Sequence, residues 1–161
     1  AQIRELALRN IETFRNSPDF LLALENFRDR LQEQDPQIQV YAINALVKLR
    51  DHDAISLLIE ALNDANAQVQ EAAHQGLKRL TFIDHGTDAK AWEQWRALHG
   101  RELPEQWLVD AMDAVEPLRR ALAARALENI AGLVVNYHPD MSQQGLLRAK
   151  MTVERHFGFR R

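Results

Sequence analysis

The residues best suited to chemistry sit in two short polar stretches. Asp84, His85 and Asp88 form one group, and Tyr137, His138 and Asp140 form another. One imidazole with two carboxylates could hold a divalent cation or move a proton near neutral pH. A plainer reading serves the same residues. Asp88 can accept backbone N–H groups at the start of a helix carrying Trp92, and His85 can hydrogen-bond backbone in a tight turn. The plainer reading is preferred, so no catalytic residue, metal ligand or cofactor is assigned, and the chain is read as non-enzymatic. A metal-binding or accessory enzyme module built on residues 84–88 is kept as an alternative. Ser17, Ser56 and Ser142 provide no nucleophile elbow, there is no glycine-rich phosphate loop, and no histidine pair has helical zinc spacing. Cysteine is absent, which excludes disulfides, a thiolate nucleophile and a thiolate metal site.

Two further groups point to binding. Trp92 and Trp95 share one helical face and Trp107 lies in the next helix, so together they could seat an apolar anchor from a partner. Core packing is the preferred role, because such large rings suit the gap left by an insertion. The stretch from Met141 carries Arg148, Lys150, Arg155, Arg160 and Arg161 against Glu154, with His156, Phe157 and Phe159 interleaved. Cations with aromatics suit single-stranded nucleic acid. Yet cations late in a helix also complement its dipole, so nucleic acid is the disfavoured alternative. A net charge of -3 gives no general affinity for polyanions. No apolar run approaches the roughly 20 residues of a membrane span, and no signal peptide is seen. The compartment stays open between cytoplasm and periplasm.

The elements that position these residues are all helical. Glycine (6) and proline (5) are scarce in 161 residues, and β-branched residues do not cluster into short runs. The chain also repeats. Ile38, Ala42, Ala45, Leu46 and Leu49 fall at relative positions 0, 4, 7, 8 and 11, and the pattern returns 31 residues later as Val69, Ala73, Gly76, Leu77 and Leu80. This spacing draws one apolar stripe down a helix, with small residues at positions 4 and 7 that admit a close neighbour. Leu24, Phe27 and Leu31 precede the first copy as Ile55, Leu58 and Leu62 precede the second. The breaks are polar, and Asp35–Pro36 is a helix-start signal. A third, wider copy follows 50 residues on, with Leu108, Met112, Ala123, Ala126, Leu127 and Ile130. Ser142 is expected to cap a final helix.

The expected organisation is a single repeat domain over 1–161. It comprises a half-repeat at 1–16, repeats at 18–50 and 52–80, an inserted loop and short helix at 81–100, and a wider third repeat with the final helix at 103–161. Ile3, Ala7, Ile11 and Phe14 keep the phase of a second helix whose first helix is missing. The half-repeat therefore reads as a slice of a longer array or as a flank covered by another molecule; an ordinary terminal cap is the alternative.

These units resemble HEAT repeats of the bacterial type, on Asp35–Pro36 with Ile38, Ala42, Ala45, Leu46 and Leu49, and on Val69, Ala73, Leu77 and Leu80. Residues 80–88 with Trp92 and Trp95 are similar to an extension that often follows such a unit. That extension usually has glycine where this chain has Phe82, so a different local turn is expected. The resemblance implies an all-α, α-α superhelix of antiparallel helix pairs, with second helices lining a concave surface. It implies scaffolding or binding of a protein, or of another domain of the parent chain, far more often than catalysis. Positions 6 and 10 of the second helices point away from the apolar stripe: Asn44 and Lys48, Gln75 and Arg79, Arg125 and Asn129. This polar ladder is the expected partner-binding surface.

Overall fold

The computed structural model describes residues 17–114, 117–131, 135–138 and 140–159, with backbone alone at 129–131. The half-repeat at 1–16, Arg160, Arg161 and the side chains of Asn129 and Ile130 lie outside the described residues. Among those described, all the regular structure is helical: α1 (Pro18–Arg30), α2 (Pro36–Lys48), a 3-10 turn (His52–Ala54), α3 (Ile55–Ala61), α4 (Ala67–Thr81), α5 (Ala89–His99), α6 (Pro104–Ala111), α7 (Pro117–Ala131) and α8 (Gln143–Phe157). The chain divides into two compact units, residues 1–76 and 77–161.

In the first unit the helix starts follow the sequence signals. Ser17 and Asp35 accept from Phe20 N and Gln37 N, with Pro18 and Pro36 in the first helical turn, where a missing N–H costs nothing. Asn66 Oδ1 likewise accepts from Gln68 N at 2.8 Å as α4 begins. Helix α2 turns back on α1, with the Phe27 and Tyr41 rings 6.1 Å apart and Gln39 Nε2 donating to Leu31 O at 3.1 Å. The stripe is buried: Leu24, Ala42, Leu46, Leu58, Leu62, Val69 and Ala73 all face inward. Burying a leucine of this kind contributes about 1.5–3 kcal/mol. Gly76 shows why position 7 is small. A Cβ there would meet Val47 Cγ2 at 3.0 Å and Ile43 Cγ2 at 3.4 Å, so α4 approaches α2 closer than a larger residue permits.

After α2 the chain leaves through Arg50, at a left-handed φ of 54°, into the buried Asp51. Arg28 on α1 grips that carboxylate with both arms, Nε to Oδ2 at 2.7 Å and the terminal nitrogen to Oδ1 at 2.6 Å. Such a fork satisfies both oxygens of an anion that burial would otherwise penalise. The hydrogen bond to Asp51 raises the Arg28 pKa further above its ordinary value.

The second unit begins with the end of α4. The Thr81 hydroxyl, fully buried, donates to Leu77 O at 2.8 Å and accepts from Ile83 N at 3.2 Å. Phe82 follows at φ 62°, so the backbone takes the left-handed conformation that glycine would favour. Phe82 packs its ring against the core of this unit, which offsets part of the roughly 1–2 kcal/mol that an L-residue forfeits there. That core joins Leu108 of α6, its C-cap Met112, and Ala123, Ala124, Leu127, Ala149 and Val153 from α7 and α8. Ser142 caps α8, accepting from Gly145 N at 3.2 Å. The buried Lys150 ties α8 to the end of α6 through an ion pair with Asp113.

Candidate functional site

The predicted ladder can be followed helix by helix. On α2, Asn44 and Lys48 are exposed; on α4, Gln75 is half-buried and Arg79 exposed; on α7, Arg125 is exposed. Gln75 Nε2 donates to Glu71 Oε1 at 2.8 Å, one turn back on the same helix. Lys48, Arg79 and Arg125 make no ion pair to any described residue.

Four cations with partners in the fold behave differently. Arg28 pairs with Asp51, Lys78 and Arg119 both pair with Asp84, and Lys150 pairs with Asp113. Those of the ladder face water, as do Arg30, Lys90, Arg101, Arg148 and Arg155 elsewhere.

The insert uses its polar residues to build itself. Asp84 Oδ2 lies 2.9 Å from Lys78 Nζ and 3.2 Å from Arg119, while its Oδ1 accepts from Gly86 N at 2.8 Å. Arg119 is the informative partner: it stands at position 0 of the third repeat, where the earlier copies carry Ile38 and Val69. Asp88 caps α5, accepting from Lys90 N at 2.9 Å and Ala91 N at 3.3 Å. For His85, ring packing is what the structure shows in place of the expected backbone hydrogen bond. Its ring meets the Trp92 ring edge-to-face at 4.9 Å, and Nε2 is buried without a hydrogen-bond partner among the described residues. Burial lowers the His85 pKa; Asp84 opposes this shift, while Arg119 and His99 add to it.

The three tryptophans form a ladder within the same unit. Trp92 and Trp95 are 5.9 Å apart, Trp95 and Trp107 5.2 Å, and all three are buried. Trp92 Nε1 donates to Gly86 O at 2.9 Å, and Trp107 Nε1 to His99 O at 3.0 Å. Core packing is therefore their role, as their size suggested, with the N–H groups of Trp92 and Trp107 satisfied.

Sequence spacing missed one convergence. His99, Glu102 and Asp110 bring potential ligand atoms within 4.8 Å of one another, all half-buried. His99 Nδ1 is 2.9 Å from Glu102 Oε2, and its ring stacks on Trp95 at 5.7 Å. A side-chain contact closing the turn between α5 and α6 accounts for the first two of these residues. In the first unit a cleft of about 210 Å³ is lined by Leu31, Gln39, Glu60 and Asp64 among others. It is smaller than the ~300–1,000 Å³ of ordinary small-molecule sites. His138 and Asp140 are exposed, 3.7 Å apart.

The basic stretch at α8 is thinner than its sequence suggests. Lys150 is consumed inside the fold, and Phe157 and Phe159 stack at 5.5 Å against the core, leaving Arg148 and Arg155 exposed. Among the described residues, no helix is long and apolar enough to cross a membrane.

The family model for HEAT repeats matches residues 1–81, half of the chain. The chain belongs to the HEAT-repeat family. HEAT repeats are commonly protein-interaction scaffolds and are typically non-enzymatic. The match takes in α1 to α4, the stretch where register positions 4 and 8 are buried in both copies. No curated protein sequence matches the chain at a significant level.

Proposed function

We propose that this HEAT-repeat protein is a non-enzymatic scaffold that binds another protein through the outward faces of its second helices. The observation that carries this reading is the recurrence of solvated cations at outward register positions of successive second helices. Lys48, Arg79 and Arg125 recur on outward register positions and are solvated, while Arg28, Lys78, Arg119 and Lys150 are held by carboxylates. A cation with no carboxylate among the described residues is available for one on a partner, and such pairs set association rate and register. Asn44 and Gln75 add donors and acceptors that suit an extended or irregular backbone.

The test is cross-linking from a photoreactive residue placed at Asn44 or Gln75, in extract of the source cells, against the same residue at Glu93 on α5. Adducts concentrated at the ladder positions, and lost when Lys48, Arg79 and Arg125 are all changed to Glu, are expected. Undiminished capture by the triple variant would overturn the assignment of this face.

A further inference from the structure

The outward faces carry more than polar groups. On α7, Leu118 is 71% exposed and Leu122 49% exposed, one turn apart, and Arg125 follows on the same side. On α2, Tyr41 is 65% exposed, with Asn44 and then Lys48 following. Tyr41 and Leu122 occupy the same register place, position 3 of a second helix. Helix α4 has Gln68 and Ala72 at the corresponding places and offers no such anchor.

Both anchor-bearing helices therefore run from apolar at their N-terminal half to cationic further along. An exposed leucine alone needs no explanation. Two leucines one turn apart, pointing away from the core and leading to an arginine that no described carboxylate pairs with, form an ordered pattern.

Resting on the binding reading above, we infer that the partner at this face is a peptide segment combining large apolar side chains with carboxylates about one helical turn further on. The apolar side chains would cover Leu118 and Leu122 on α7, and the carboxylates would meet Arg125 on the same helix. Charge complementarity selects this occupant, because the cations of these faces lack carboxylate partners among the described residues. Burial of the anchors supplies affinity, and the cations supply orientation and discrimination.

A displayed library of random peptides, selected on the whole chain, tests this with no natural partner in hand. Affinities of selected synthetic peptides are then measured for Leu118→Ser with Leu122→Ser, and separately for Arg125→Glu. All three side chains are exposed, and helical circular dichroism confirms that the variants fold. Enrichment of leucine, methionine or phenylalanine followed by Asp or Glu, with affinity falling roughly tenfold or more in each variant, is the expected result. Loss with Arg125→Glu but not with the leucine variant would overturn the apolar anchor and leave the binding reading standing. Selected peptides indifferent to both variants would overturn the face itself. No enrichment would overturn the peptide inference, while cross-linking still decides on a folded partner. Binding to phosphatidylglycerol vesicles that needs Leu118 and Leu122, or self-association that needs them, would assign the face to lipid or to a second copy instead.

Discussion

The chain leaves two of its second helices, α2 and α4, by different solutions to the same problem. At the first exit the left-handed residue is the exposed Arg50, and a fully engaged ion pair, Arg28 with the buried Asp51, pins the turn into the next helix. At the second exit the left-handed residue is Phe82, which packs its ring into a core, and the neighbouring Asp84 is shared between Lys78 and Arg119 at about one-quarter exposure. The same backbone event is thus secured by buried electrostatics in one unit and by apolar packing with a solvated charge network in the other. Loops after equivalent repeats need share only a conformation, not a mechanism of stabilisation.

The largest expected effect lies at the point the two exits have in common. Leu46 and Leu77 occupy position 8 and are fully buried. Leu46→Ala and Leu77→Ala should each cost on the order of 2–5 kcal/mol in urea unfolding. A loss well under that range at Leu77 would mean that the register is misread.

The ion pairs separate the exits. Arg28→Ala strands a carboxylate at 3% side-chain exposure and should cost about 3 kcal/mol. Asp84→Asn, at 25% exposure, should cost no more than about 1 kcal/mol and less at high salt. Equal losses would erase the distinction. The left-handed residues should differ in the size of the effect. Phe82→Gly relieves strain but gives up ring packing, for a net loss of about 1 kcal/mol. Arg50→Gly relieves the same kind of strain without giving up a core-packed ring and should cost less.

The smallest effect is set by pH. His85 has a folded-state pKa below the ordinary imidazole value of 6.5, because its charged form is poorly solvated where it sits. Below that value the unfolded chain takes up a proton that the folded chain refuses. Stability is therefore full above pH 6.5 and declines as the pH falls below it. In His85→Asn, thermal midpoints between pH 7.5 and 5.5 should lose part of this slope. An unchanged slope would remove His85 from the account.

Much of this was legible in the sequence, for reasons that are local. Asp35, Asp88 and Ser142 act on backbone groups two or three residues away, so their caps could be read from neighbours alone. Positions 4 and 8 declare themselves by periodicity, and Ala42, Ala73 and Ala123 are all fully buried. What escaped notice depends on residues distant in sequence. Arg119 replaces an apolar residue at position 0 because Asp84, far upstream, is there to meet it. Lys150 looked like part of a basic surface until Asp113 took it inside. Leu118 and Leu122 look like core residues by type, and only three-dimensional exposure shows otherwise. Of the candidate site, spacing predicted the outward cations but not the apolar neighbours that give them a direction.

The tryptophan ladder has a practical consequence for all of these measurements. The chain's three tryptophans, Trp92, Trp95 and Trp107, lie in the second unit, in contact with one another and flanked by His85 and His99. Light absorbed by any of them is shared and quenched within that cluster, so emission reports on residues 77–161 and is blind to the loss of α1 to α3. Far-ultraviolet circular dichroism counts the helices of both units. Recording the two signals on one sample makes the molecule its own two-channel thermometer: coincident curves mean that the units melt together, and a dichroism change ahead of the fluorescence change means that the first unit goes first.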